Sequence, residues 1–126
     1  MKIKKIGGEL NLKYLREDIL REMHLFKFNV TTKGYKYLID TIEICIKDEN
    51  AIENLEKNVF SILAEKYKLD KKDKVKWCIN QVFETMLKNT DMKIITEYFN
   101  ISEKEKLSVK NFIYTVVYKY LKMISA

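Results

Sequence analysis

The chain is predicted to be all-α, a compact bundle of about six helices that contains a helix-turn-helix. Proline is absent and glycine occurs only three times in 126 residues, so the frequent turn residues of a β-sandwich or barrel are missing. Apolar residues instead recur at helical spacing along most of the chain. Hydrophobic residues make up 47% and charged residues 33%, the balance of a folded globular protein rather than a disordered one. At this length one domain over residues 1–126 is expected, with residues 1–8 as a flexible leader around Gly7 and Gly8.

The first helix is predicted from Glu9 to Phe26, with Leu12, Leu15, Ile19, Met23 and Phe26 on one face. The second starts after Thr32, an N-cap, and carries Tyr35, Leu38, Ile39, Ile42 and Ile46 inward. Gly34 in its first turn permits something to approach closely. A third helical stretch, Ile52 to Tyr67, in one or two pieces, directs Leu55, Val59, Ile62, Leu63 and Tyr67 to the core. Asp70 is read as the N-cap of a helix over Lys71 to Lys88, with Asp73 favouring its start through the macrodipole. Its stripe is Val75, Cys78, Ile79, Val82, Phe83 and Met86. Asn89 to Asp91 interrupt the pattern before a short helix containing Met92, Ile95, Tyr98 and Phe99. Ser108 caps the last helix, whose apolar residues on more than one face suit central burial or a homodimer contact.

Val59 to Leu87 has the layout of a helix-turn-helix, with Ala64 as the small residue where the two helices cross. Net charge is +6, and Lys66 to Lys76 hold six lysines against Asp70 and Asp73. Lys66, Lys68, Lys71, Lys72 and Lys74 are the candidates to hold DNA phosphates through counterion release. At about 100° per residue, the face opposite the stripe carries Trp77, Asn80, Gln81, Glu84 and Lys88, with Lys76 at its edge. Asn and Gln suit adenine, lysine suits guanine, and an aromatic edge packs on a thymine methyl. Lys76, Trp77, Asn80 and Gln81 are therefore the candidate base contacts of a recognition helix near residues 71–88. A solvated lysine face, with Trp77 under a partner or loop, is the competing reading.

Lys33-Gly34-Tyr35-Lys36-Tyr37-Leu38, Leu63-Ala64-Glu65-Lys66-Tyr67, the break at Asn89 to Asp91, Phe99 and Phe112-Ile113 together resemble one known family. It is the C-terminal DNA-binding domain of stage zero sporulation protein A, and the resemblance runs roughly from Leu15 to Leu121. It implies a six-helix bundle that regulates transcription by binding a short element of double-stranded DNA, often as a tandem dimer. The family's base-contacting positions fall on Lys76-Trp77 and Asn80-Gln81, and all four residues differ, so the family's target sequence is not carried over. The family's segment that meets the sigma subunit of RNA polymerase falls on Asp91 to Phe99, which implies Asp91, Ile94, Thr96 and Phe99 as contacts. For a complete chain beginning at Met1, no counterpart of the family's receiver domain is expected, and control by expression level, dimerisation or a partner is expected instead.

Catalytic classes lack necessary residues. His24 is the single histidine and has no ligand-spaced companion, so no metal is expected. Gly7-Gly8 is not a phosphate loop. Glu17-Asp18 and Asp48-Glu49 are adjacent carboxylates on polar faces, without the apolar pocket that acid–base work requires. Cys45 and Cys78 read as free helix thiols under reducing conditions. No enzyme activity, cofactor or membrane partner is expected, and the compartment is cytoplasmic. Two functions stand: a sequence-specific DNA-binding transcription regulator, or a protein-interaction and dimerisation module that antagonises or assists a related regulator.

Overall fold

The computed structural model describes residues 13–125; the leader expected at residues 1–8, and Leu12, lie outside them. Six α-helices are present among these residues: α1 (Leu15–Met23), α2 (Lys33–Lys47), α3 (Ser61–Lys66), α4 (Lys72–Asn89), α5 (Met92–Phe99) and α6 (Val109–Ser125). A 3-10 helix (Glu49–Asn54) and a π-helical turn (Glu56–Phe60) lead into α3. α2 is the hub, packed against α1, α4 and α6. No described helix is long and apolar enough to cross a membrane.

Local signals set most of the boundaries. The Thr32 hydroxyl accepts from the Tyr35 amide at 3.2 Å, and the Ser108 hydroxyl from Asn111 at 3.1 Å. Each satisfies one of the orphan amides at a helix start. Asp91 caps α5 in the same way, accepting from Lys93 at 2.9 Å. Asn100 stops α5 in a left-handed conformation, φ 53°, which asparagine tolerates.

α1 ends at Met23 and not at Phe26. The amides of His24, Leu25 and Phe26 bond three residues back, at 3.1 to 3.2 Å. That tighter winding swings Phe26 into a ring cluster with Phe99 and Phe112, at 5.7 and 5.3 Å between centroids. Phe28 and Phe83 reach the same Phe112 ring at 5.7 and 5.6 Å. Phe112, fully buried, is thus the aromatic centre of the core.

Ile62 is exposed, not buried as its spacing predicts. The π-helical turn is the reason, because its wider winding adds a residue and rotates the following face. Ser61 reinforces it by giving both its amide and its hydroxyl to the Glu56 carbonyl, the latter at 2.9 Å. Phe60 takes the inward position instead, with Val59, Leu63 and Ala64.

Asp70 is not the N-cap of α4. The cap is Lys71, in extended conformation and with no side-chain bond. Asp70 instead pairs with Lys74 at 3.1 Å, one turn into the helix.

Candidate nucleic-acid interface

The turn between α3 and α4 lacks glycine yet has the bonding of a Schellman cap. Lys68 sits at φ 55°, its amide bonded to the Glu65 carbonyl at 3.2 Å. The Leu69 amide reaches back to the Ala64 carbonyl at 2.8 Å. The two bonds close the end of α3 and turn the chain sharply into α4. Leu69, half-buried, packs against the core while the lysines around it face water.

α4 is held by its buried stripe of Val75, Ile79, Val82, Phe83 and Met86, and Cys78 is half-buried. Gly34 of α2 meets the backbone of α4 at Cys78. A Cβ at Gly34 would overlap the Cys78 carbonyl oxygen and stand 2.8 Å from its carbon. The close approach expected at Gly34 is therefore to α4 itself.

The outward face of α4 carries Trp77, which is 63% exposed. The four candidate base contacts do not form one cluster around it. Trp77 and Gln81 border a shallow hollow of about 240 Å³ with Asn29, Thr32, Lys33 and Thr85, on the side of α2. A wider hollow of about 580 Å³ continues from Trp77 to Lys33, Leu69, Lys71 and Lys74. Lys76 and Asn80 border a different hollow, with Glu53, Glu56 and Lys110, on the opposite flank.

Charge follows the same division. Lys76 Nζ lies 2.7 Å from Glu56 Oε1. Its hydrogen bond holds the Glu56 carboxyl below its ordinary range and raises the Lys76 ammonium. Lys110 Nζ approaches the Glu53 carbonyl at 3.5 Å. On the α2 flank, Lys33 and Lys71 have no carboxylate within ion-pair distance among the described residues. Lys68, Lys71 and Lys72 are exposed along the turn and the start of α4. Lys66 is partly engaged, 3.9 Å from Asp40 and over the Tyr67 ring at 5.2 Å.

Asp40 was not legible as a special residue. It is a buried carboxylate of α2 that accepts from Arg16 of α1 at 2.8 Å and from the Tyr67 hydroxyl at the end of α3. Burial, and the hydrogen bond to Asp40, push the Tyr67 phenol up to about 12. The Tyr67 ring also lies tilted against Tyr37, 5.1 Å between centroids, with the Lys36 ammonium over it at 4.8 Å. The network ties the first helix of the helix-turn-helix unit to α1 and α2. Lys33, Thr32 and Asn29 are likewise additions to the interface, signalled in sequence only by their nearness to Gly34.

The α5 candidates separate too. Asp91 and Ile94 are exposed and Thr96 is half-buried. Phe99 is turned inward, at 9% exposure, because its ring completes the cluster around Phe112; it is a core residue, not a surface contact. Cys45 and Cys78 are both free thiols, and His24 is exposed at the end of α1. No group of three or more potential metal ligands occurs among the described residues.

The all-α bundle, in which α3, the turn and α4 present a lysine-bordered outer helix face, is consistent with a helix-turn-helix domain. The family described as Sporulation initiation factor Spo0A C terminal matches residues 18–120, and the chain belongs to that family. It is a family of DNA-binding regulatory domains of sporulation, not of enzymes. No curated protein matches the chain.

Proposed function

We propose that this chain is a sequence-specific DNA-binding transcription regulator acting as one helix-turn-helix domain, with α4 entering the major groove. The observation that carries this reading is Trp77, 63% exposed in the middle of the solvent face of α4 and flanked by the lysines of the preceding turn. An indole costs solvation when left in water, and here a thymine methyl would cover it. Gln81 beside it and Asn80 on the other flank read base edges, and Lys76 reaches guanine. Lys68, Lys71 and Lys72 hold phosphates, with Lys66 and Lys74, each beside a carboxylate, at the margin. Asp91, Ile94 and Thr96 form the surface proposed for the sigma subunit of RNA polymerase. The compartment proposed is the cytoplasm, where the duplex is.

The test uses Trp77 as its own reporter. Its emission is followed while random duplex, and then duplex selected for binding, is added at two salt concentrations. A change whose midpoint moves steeply with salt is expected. An emission indifferent to both duplexes would overturn the DNA reading and favour a protein-interaction module that assists or antagonises a related regulator. Changing Asn80 and Gln81 together to Ala is expected to relax base preference, and Lys72→Ala to weaken all duplexes alike.

A further inference from the structure

The two flanks of α4 differ in what they offer a polyanion, and Glu56 makes the difference. On one flank, Lys33 and Lys71 border the hollow beside Trp77 with no carboxylate at ion-pair distance among the described residues, while Lys74 of the same hollow is paired with Asp70 at 3.1 Å. On the other, Glu53 and Glu56 line a hollow with Lys76, Asn80 and Lys110, and Lys76 is already bonded to the Glu56 carboxylate at 2.7 Å. We propose that Glu56 is a specificity-determining residue: it withholds Lys76 from backbone phosphate and turns the phosphate path to the opposite flank, over Lys33 and Lys71. This rests on the DNA reading of α4 given above.

The duplex carries condensed cations, and each phosphate that an unpaired lysine neutralises releases some of them, so affinity rises through that release. Lys76 already has an anion beside it, the Glu56 carboxylate of the same chain. A phosphate that took Lys76 would leave the Glu56 carboxylate facing the phosphate backbone, and the repulsion would offset the new pair. The uncharged O6 and N7 acceptors of guanine have no such penalty, since they can share the ammonium while Glu56 keeps its hydrogen bond. Glu56 therefore lowers affinity for duplex in general more than for a duplex with an acceptor placed at Lys76. Such suppression of wrong partners is how a charged group adds specificity without adding affinity.

The assignment also places a new phosphate contact. Lys33 begins α2 and lines both hollows beside Trp77. It stands where a strand passing over Trp77 toward Lys71 would run.

The experiment compares wild type, Glu56→Gln, Lys33→Ala, and Glu56→Gln combined with Lys76→Ala. Each is titrated with random and with selected duplex over a range of salt. Glu56→Gln is expected to tighten random duplex roughly fivefold, to steepen the salt slope by about one unit, and to narrow the ratio between selected and random duplex. The combined variant is expected to lose that gain, because the gain belongs to Lys76. Lys33→Ala is expected to weaken both duplexes alike and to flatten the slope by about one unit. The inference is overturned if Glu56→Gln leaves slope and ratio at the wild-type values, if its gain survives Lys76→Ala, or if Lys33→Ala leaves the slope unchanged. Failure of wild type to bind any duplex is a different result, which removes the DNA reading as well.

Discussion

Gly34 of α2 lies directly against the carbonyl group of Cys78 in α4, so the placement of the outer helix depends on a missing side chain. The obstructing atoms are helix backbone, which cannot rotate aside, and Val82 Cγ1 closes the space at 3.2 Å. Gly34→Ala is therefore expected to destabilise the fold by about 3 kcal/mol, at the upper end of overpacking costs. Denaturant midpoints compared at constant m-value check this. Trp77 emission in the folded variant is expected to shift as well, since the indole and Gly34 border the same hollow. A variant as stable as wild type would show that α4 is held by its apolar stripe alone.

Asp40 joins three helices from a buried position, and its loss leaves the Tyr67 hydroxyl unmatched and Arg16 with the more distant Glu43 at 3.9 Å. Breaking a fully buried pair costs about 3–5 kcal/mol; because the Arg16 side chain is 42% exposed, about 1–3 kcal/mol is expected for Asp40→Ala. Tyr67→Phe is expected to cost about 1 kcal/mol. The network also has a pH signature. The Tyr67 phenol is raised from an ordinary 10.0 to about 12, so the unfolded chain releases this proton first. Its contribution is fully present below pH 10 and is lost as pH rises toward 12. Stability measured across that window is expected to fall less steeply in Tyr67→Phe than in wild type.

Lys68 adopts φ 55° in the turn of the helix-turn-helix, a conformation that costs a residue with a Cβ about 1–2 kcal/mol. Glycine removes that cost but loses more entropy on folding, so Lys68→Gly is expected to gain up to about 1 kcal/mol. The same change removes a phosphate candidate. Stability should rise while affinity for every duplex falls, and thermal melts beside binding titrations separate the two. A fall in stability would mean that the lysine stem packs on the turn.

Cys45 is fully buried in α2, and burial first, then the nearby Asp48 charge, raises its thiol to about 12. At pH 8 it has almost no thiolate, the reactive form. Alkylation of the native chain is expected to spare Cys45 and to reach it only after denaturation, as peptide mass analysis would show. Modification of native Cys45 would indicate that α2 opens locally.

The helices and their inward faces were legible because they rest on local chemistry. Thr32, Ser108 and the 3.6-residue spacing of the α2, α4 and α6 stripes each act within a few residues, and the exposure of Trp77 follows from the same spacing. Spacing misled at Ile62, where a π-helical turn rotated the face, and at Asp70, where a lysine one turn ahead drew the carboxylate away from capping. Phe99 illustrates a different limit. The family resemblance implied a surface contact there, but four rings from other segments converge on the same core.

By itself, the sequence determined that this protein is an α-helical bundle, where its helices run, and which helix carries an exposed tryptophan and a lysine-rich approach. Helix propensity, capping and amphipathic period are short-range, and a single strand of text contains them. Only the tertiary structure decided that Gly34 seats α4, that Asp40 locks α1, α2 and α3 together, and that Glu56 takes hold of Lys76. These depend on groups 20 to 44 residues apart meeting after packing. No period encodes such a meeting. The division of the reading face into a lysine flank and a neutralised one belongs to that second kind of information.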